Sequence, residues 1–191
     1  MSIDKSISNK INFPECFDNK VKIVNFSKKH LTQQYVDWLN DFDVVRYSEQ
    51  RHYQHTLNTC NEYFKIQNSS LNYFLAIELN NLSKKHVGNI GVDVDPYNNK
   101  ADVSIIIGDK SVWGTGVGSR AWSLVVDILI KQLGFRLITA GTMETNMSMI
   151  KLMKRSKMTI DAILPNRFVY EDKQVGLVAA SYSPVEFINK I

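Results

Sequence analysis

Hydrophobic and polar residues follow two different periods along this chain, and the periods separate predicted strands from predicted helices. Short alternating or continuous apolar runs predict strands, whereas apolar residues about three or four positions apart predict helices. The predicted strands cover residues 21–26, 73–77, 86–94, 101–107, 136–140, 160–164, 168–170 and 175–182. The predicted helices cover residues 31–39, 56–67, 119–133 and 146–155. This interleaved order predicts an α/β fold with a sheet of mixed direction.

Residues that cap helices mark several of the predicted boundaries. Ser27 precedes the first helix, Gly134 follows the third, and Asn146 stands at the start of the fourth. In the second helix, Leu57, Cys60, Tyr63 and Phe64 are predicted to face inward. Residues 1–18 are polar and irregular, which predicts an N-terminal lead-in before a single domain over residues 19–191.

The composition favours an ordinary globular protein with one core. The chain has 191 residues, of which 44% are hydrophobic and 22% charged. No apolar run approaches the ~20 residues of a membrane span, and residues 1–10 lack a signal-peptide core. Cys16 and Cys60 are too few for a disulfide framework. We therefore expect a reduced, cytoplasmic protein without a membrane partner.

The charge balance is modestly basic. The formal net charge is +4 and the isoelectric point is about 9.0. Such a balance suits an anionic cofactor or a nucleotide-linked substrate. It does not favour a nucleic-acid partner, because the sequence contains no long basic run.

A glycine-rich segment, residues 113–118 (WGTGVG), lies between the predicted strand 101–107 and the predicted helix 119–133. Glycines allow backbone N–H groups to approach a ligand closely, and a helix N-terminus adds partial positive charge. The segment therefore predicts a phosphate-binding loop. Glycines alone are equally compatible with a strand-to-helix turn that binds nothing.

The spacing excludes the two commonest phosphate loops. A P-loop ends in Gly-Lys-Ser/Thr, whereas Gly118 is followed by Ser119 and Arg120. A dinucleotide fingerprint has the spacing G-x-G-x-x-G with an acidic residue about 20 positions later. Here the spacing is G-x-G-x-G, and Asp127 is the single acidic residue in the helix that follows.

The stretch 101–158 resembles the cofactor-binding half of the GNAT family of acetyl-CoA-dependent N-acetyltransferases. That family carries Gln/Arg-x-x-Gly-x-Gly/Ala before a helix, and here the pattern is Trp113-x-x-Gly116-x-Gly118. Asn146 stands where the family has an Asn-capped helix, but Lys157-Met158 replaces the usual Gly-Phe pair. The resemblance implies a mixed sheet in which strands 101–107 and 136–140 splay apart between flanking helices.

The resemblance also implies acetyl-CoA as the cofactor. Its pyrophosphate would lie on the N–H groups of residues 115–119, and its pantetheine arm would lie along the strand 101–107, near the backbone of Ile107. The cofactor-binding residues carried over in this way are Ile105, Ile106, Ile107, Trp113, Gly114, Thr115, Gly116, Val117, Gly118, Ser119, Asn146 and Met149.

Acetyl transfer to an amine needs a positioned amine, a group that accepts its proton, and stabilisation of an oxyanion. We favour Asp102 as the general base, because some family members carry a glutamate early on that strand. Glu49 and His52 are the competing bases. Met153 stands where many members have a Tyr that acts as the general acid. Ser148 or water is therefore the candidate to protonate the departing thiolate.

The segment 47–55 (YSEQRHYQH) is unusually polar and aromatic for a linker, and in the resembled family this region walls the acceptor site. Tyr47, Arg51 and His55 are its candidate substrate-binding residues, with Arg51 as the phosphate partner. A metal site at His52 and His55 lacks further ligands and is not expected.

The segments around Trp38 and Ala140 resemble those of enzymes that acetylate nucleotide-linked amino sugars for surface glycans, and we predict such an acceptor. An N-terminal protein acetyltransferase of the ribosomal-protein type, a polyamine or antibiotic acetyltransferase, and a non-catalytic acyl-CoA sensor stay open as alternatives, as does a homodimer.

Overall fold

An eight-stranded mixed sheet forms the centre of the computed structural model, which describes residues 12–184. The strands are β1 Cys16–Phe17, β2 Val21–Asn25, β3 Tyr73–Leu79, β4 His86–Asp95, β5 Lys100–Ile107, β6 Leu137–Met143, β7 Thr159–Tyr170 and β8 Lys173–Tyr182. Their spatial order is β1-β2-β3-β4-β5-β6-β8-β7. The helices are α1 Gln33–Asn40, α2 Phe42–Val45, α3 Leu57–Ser69, α4 Val117–Lys131 and α5 Met147–Arg155.

The parallel pair β5 and β6 separates soon after it begins. Pairing covers three positions, from Lys100 opposite Leu137 to Asp102 opposite Thr139. Beyond that point β5 stays paired with β4 and β6 stays paired with β8. The two strands therefore diverge like a V, as the family resemblance implies, and α4 follows β5 through the glycine-rich segment.

Helices cover both faces of the sheet. On one face α4 buries Trp122, Val125 and Leu129 completely. On the other face the apolar sides of α1 and α3 pack with β2 and β3, for example through Tyr35 and Cys60. Each fully buried large apolar side chain contributes roughly 1.5–3 kcal/mol. Among the described residues no helix combines the length and apolar character that a membrane crossing requires.

The start of α1 and the extent of β7 differ from the sequence expectation. Ser27 does not cap α1; it precedes a 3-10 turn at Lys28–His30, and the Thr32 hydroxyl caps α1 by accepting from Tyr35 N–H. The strands predicted at 160–164 and 168–170 are one strand, β7, with a register shift between Leu164 and Phe168. The sequence pattern did not show that the strand is continuous, because the bulge interrupts the two-residue alternation of apolar and polar side chains.

Several local predictions made from the sequence also differ from the structure. Leu57 and Tyr63 were expected to face inward but are 46% and 42% exposed. The helix α3 begins at Leu57, and of its residues Cys60 is the buried one. Cys16–Phe17 forms a strand and Phe13 is buried, although the sequence predicts an irregular lead-in there; residues 1–11 of that lead-in lie outside the described part. Lys157 replaces the family's glycine and still adopts φ +61°.

A buried polar network explains the turn that Ser27 begins. Ser27 N–H donates to His30 Nδ1 over 3.0 Å, so the proton of the imidazole is on Nε2, which lies 3.0 Å from Glu78 Oε1. Lys29 pairs with the same carboxylate oxygen at 2.8 Å. His30 and Glu78 are almost completely buried, and these hydrogen bonds offset the cost of their burial.

Gly108, directly after β5, is packed against an aromatic ring. A Cβ at this position would lie 2.0 Å from Trp38 Cδ2. We expect Gly108→Ala to destabilise the protein by about 1–3 kcal/mol in chemical denaturation, because the buried ring must move. On a Trp38→Leu background the same substitution should cost much less. Equal costs in both backgrounds would contradict the clash as the cause.

Candidate active site

A cleft of about 940 Å³ opens where β5 and β6 diverge. One side is formed by the glycine-rich segment and the start of α5, and the other by aromatic residues of α1, α3 and the chain between α2 and α3. Ile105, Ile106 and Ile107 of β5 line its floor. The cleft therefore joins the predicted cofactor half of the chain to the predicted acceptor half.

The glycine-rich segment has the backbone geometry that glycine permits. Gly114 and Gly116 adopt φ +76° and +88°, and a Cβ at either position would meet no atom within 4 Å. The loop is thus not packed against other residues at these two positions. Gly116 is the N-cap of α4, and no described side chain caps that helix. The first backbone bond is donated by Arg120 N–H to Gly116 O at 3.1 Å.

The N–H groups of Val117, Gly118 and Ser119 precede the first helical hydrogen bond, so they have no acceptor within the helix. They point outward at the positive end of the α4 dipole, which favours an anion. Gly118 serves a second purpose, because a Cβ there would lie 3.3 Å from Ile107 Cγ1. Glycine therefore brings the helix start close to the end of β5.

Trp113 ties the loop to β5. Its indole Nε1 donates to Ile107 O over 2.9 Å, and the residue is 40% exposed at the cleft. The sequence reading expected the Ile107 backbone to meet the pantetheine amides. The Ile107 carbonyl accepts this hydrogen bond from Trp113, so it is not free to meet those amides.

Asn146 organises the start of α5. Its Oδ1 accepts from Met149 N–H at 3.2 Å, and its Nδ2 donates to Thr142 Oγ1 at 3.0 Å. Ser148 is exposed on the first turn and lines the cleft. Met153 is completely buried against the core, which places the residue at the family's acidic Tyr position away from solvent.

Most predicted cofactor residues lie together around the cleft. They are Ile105, Ile106, Ile107, Trp113, Gly114, Gly116, Gly118, Ser119, Asn146 and Met149. Thr115 and Val117 do not line it with their side chains. The Thr115 hydroxyl donates to Val112 O at 2.7 Å, and Val117 is buried in the core.

Asp102 lies at the closed end of the V and does not line the cleft. Ser104, two positions along β5 on the same face, does line it. Asp102 is exposed, but partial loss of hydration beside the neighbouring strands raises the pKa of its carboxyl. The nearby Asp93 carboxylate also raises this pKa, and the hydrogen bond from Thr139 lowers it. Thr139 Oγ1 donates that bond to Asp102 Oδ2 over 2.6 Å.

Glu49, His52 and Arg51 lie on a 3-10 turn outside the cleft. Glu49 pairs with His52 at 3.5 Å and with Arg51 at 3.1 Å. The Arg51 side chain is only 7% exposed and also donates to Ser48 O at 2.9 Å. Its guanidinium is therefore used within its own turn, and the structure does not place it where a substrate phosphate would bind.

Tyr47 and His55 do line the cleft. The ring of Tyr47 packs on Tyr170 of β7 with centroids 5.7 Å apart, and the Arg46 guanidinium lies 5.1 Å from its centroid. The backbone of His55 exchanges two hydrogen bonds with the Asn40 side chain, at 2.8 and 2.9 Å. These contacts fix the turn region against α1.

Sequence reasoning missed three cations at the cleft: Arg46, Lys151 and Arg155. The nearest available signal was the period of α5, which puts Lys151 and Arg155 four positions apart and thus on one face. Nothing in the local sequence distinguishes Arg46 from Arg51. Among the described residues, no group of three or more His, Cys, Asp or Glu side chains is arranged to hold a metal ion.

A family profile now adds to this geometry. The profile described as "Acetyltransferase (GNAT) domain" matches residues 20–159. The chain belongs to the GNAT acetyltransferase family. The matched range contains β5, the glycine-rich segment, α4 and α5, and residues of each line the cleft. This GNAT protein is thus an acetyltransferase that uses acetyl-CoA.

Solved structures share the fold of this acetyltransferase at low sequence identity. Spermidine N-acetyltransferase from Vibrio cholerae, in complex with CoA and spermine, has a TM-score of 0.79 at 13% identity, covering 90% of this chain and 100% of its own. RimL, a ribosomal L7/L12 α-N-protein acetyltransferase in complex with CoA, has 0.77 at 10%, covering 87% and 95%.

A GNAT-family acetyltransferase from Bacillus anthracis is similar at a TM-score of 0.76 and 13% identity, with 89% of this chain and 98% of that chain covered. No curated protein sequence matches this GNAT chain significantly. The identities are low, so these neighbours support the fold of the acetyltransferase, while its acceptor must be argued from its own cleft.

Proposed function

We propose that this acetyltransferase acetylates the amino group of a nucleotide-linked amino sugar. The observation that carries the proposal is the charge of the cleft. Among the described residues that line it, Asp43 is the single carboxylate, while Arg46, Lys151 and Arg155 are cations. Asp43 is itself paired with Lys110 at 2.8 Å. Lys151 and Arg155 lie on α5, on the side of the glycine-rich segment, so Arg46 is the cation of the acceptor side. With Asp43 neutralised, this arginine favours an acceptor that carries negative charge.

This charge balance argues against a polyamine acceptor. Spermidine carries several positive charges at neutral pH, and a site for it needs carboxylates to pair with them. Three of the similar structures are of proteins whose names include spermidine N-acetyltransferase. The fold is shared, but an acceptor site of the kind that binds a polycation is not supported by the residues around this cleft.

Arg46 takes the role that the sequence reading gave to Arg51. Its guanidinium faces the cleft, where it packs over Tyr47. A guanidinium binds phosphate oxygens in a bidentate manner, and the exposed ring of Tyr53 suits a nucleobase or a sugar ring. A diphosphate near Arg46 would leave the sugar amine directed toward β5.

The loop and α5 fit acetyl-CoA. In this proposal the N–H groups of Val117, Gly118 and Ser119 hold the pyrophosphate, and the edge of β5 at Ile105 and Ile106 holds the pantetheine arm. Acetyl-CoA supplies an activated thioester, so the chain needs no covalent nucleophile. Burial raises the pKa of the Cys60 thiol, which keeps it protonated and unreactive.

Asp102 remains our general base, with Glu49 and His52 as competitors that, like Asp102, do not line the cleft. Asp102 is separated from the cleft by one step along β5, so we propose that it takes the proton of the amine through a water beside Ser104. Ser148 or water returns a proton to the thiolate. Met153, which stands at the family's tyrosine position, is buried, and a methionine side chain has no proton to donate.

A thiol-release assay with acetyl-CoA tests the proposed acceptor. The panel contains nucleotide-linked amino sugars, the corresponding free amino sugars, peptides with free N-termini, and spermidine. We expect the nucleotide-linked amino sugars to give the highest kcat/KM. A preference for peptides would overturn the proposal in favour of an N-terminal protein acetyltransferase, and silence with intact acetyl-CoA binding would favour a sensor.

Two arginine variants sharpen this result. We expect Arg46→Gln to raise KM for the nucleotide-linked acceptor by roughly tenfold, since it removes a phosphate partner, and to leave the KM for the free sugar nearly unchanged. Arg51→Gln is the matched control, because Arg51 bonds within its own turn. An equal effect of both variants would contradict a direct phosphate contact at Arg46.

A further inference from the structure

Lys110 connects the two sides of the cleft, although Lys110 itself does not line the cleft. It lies on the 3-10 turn Lys110–Val112 that follows β5. Its Nζ is 2.7 Å from Asp41 Oδ2 and 2.8 Å from Asp43 Oδ2. Asp41 is the N-cap of α2 and Asp43 lies in the first turn of that helix. One ammonium group thus holds two carboxylates on the acceptor side.

We propose that Lys110 determines acceptor specificity by neutralising Asp41 and Asp43, and so prevents the cleft from accepting polycationic amines. The proposal rests on the proposed function, because it concerns the acceptor site of the same reaction. Both carboxylate oxygens touch the same nitrogen, so they lie close to each other, and Asp43 lines the cleft. Two adjacent unpaired carboxylates are the chemistry that a protonated di- or polyamine recognises.

Other contacts of this cluster are consistent with charge neutralisation. The hydrogen bonds that Lys110 donates to Asp41 and Asp43 raise its pKa, so it stays charged at neutral pH. Lys110 lowers the pKa of Asp43 in return. The Lys110 ammonium also lies 5.9 Å from the centre of the Trp113 ring, so the same cation faces the cofactor loop.

The alternative is that Lys110 only tethers α2 to the end of β5. The two roles differ in what removal of the charge does. Loss of a tether lowers activity toward every acceptor in parallel, whereas loss of a neutralising charge changes the ratio between cationic and anionic acceptors. Discrimination against the wrong acceptor by an unfavourable charge is a common device for specificity.

The test is Lys110→Gln, assayed for kcat/KM with spermidine and with the nucleotide-linked amino sugar, and for spermidine binding by calorimetry. We expect kcat/KM for spermidine to rise roughly tenfold relative to kcat/KM for the sugar, and the Kd for spermidine to fall by roughly the same factor. The triple variant Lys110→Gln, Asp41→Asn, Asp43→Asn should lose the gain, and Asn at position 41 keeps the helix cap. Lys131→Gln, which breaks an exposed pair with Asp127 on α4, is the control.

The outcomes separate the two proposals. The ranking of acceptors by the unmodified enzyme tests the proposed function, whereas the change in the spermidine ratio on Lys110→Gln tests the role of Lys110. A parallel fall for both acceptors, or no gain in spermidine binding, would overturn that role. A gain that survives in the triple variant would overturn it as well, because the carboxylates would then not be its cause.

Discussion

Gly116→Glu is expected to abolish acetyl-CoA binding, with a rise in Kd of at least a hundredfold, or about 2.8 kcal/mol. Gly116 adopts φ +88° as the N-cap of α4, a conformation that costs a non-glycine residue roughly 1–3 kcal/mol. A Cβ at this position would meet no atom within 4 Å, so the added side chain has space at the start of α4. A carboxylate there would repel the pyrophosphate and would compete for the N–H groups of Val117 and Gly118.

Gly134 provides the matched control for this prediction. It also has a positive φ, +71°, and a Cβ there would also meet no atom within 4 Å. Gly134 follows α4 at its other end, far along the helix from the loop. Gly134→Glu should therefore cost comparable stability and leave the Kd for acetyl-CoA unchanged in calorimetry. Equal affinity of both variants would mean that the loop does not hold the cofactor.

The cofactor side of the cleft could be predicted from sequence because its signals are local. The strand, the glycines and the helix follow one another within residues 101–133, so spacing alone places Ile105, Gly116 and Ser119 together. The start of α4 was expected near Ser119 and lies at Val117, because an N-cap glycine carries no side-chain signal. Asn146 is a capping residue in sequence and in structure.

The acceptor side could not be predicted in the same way, because its contacts connect distant parts of the chain. The sequence around Arg46 and Arg51 does not show which of the two side chains lines the cleft. In the structure the 3-10 turn Glu49–His52 lets Arg51 donate to the Ser48 carbonyl, so its guanidinium is bonded within that turn. Lys110 meets Asp41 and Asp43 across more than sixty residues. Tyr47 meets Tyr170 only because β7 lies at the sheet edge beside β8.

Asp102→Asn is expected to lower kcat by roughly a hundredfold, the contribution of a positioned general base, and to leave the Kd for acetyl-CoA unchanged. Asparagine keeps the size of the side chain and accepts the hydrogen bond from Thr139, so the fold should be preserved. Asp102→Glu should recover part of the rate. Normal turnover in Asp102→Asn would transfer the role to Glu49 or His52, whose alanine variants are then the ones to assay.

The pH dependence of kcat distinguishes a base at Asp102 from ionisation of the acceptor amine. A general base works in its deprotonated form, so the rate rises with pH through the raised pKa of Asp102. Thr139→Val removes a hydrogen bond that lowers this pKa. The ascending limb should therefore move to higher pH in Thr139→Val and disappear in Asp102→Asn. A limb that stays in place in both variants belongs to the amine, and Asp102 is then a structural partner of Thr139.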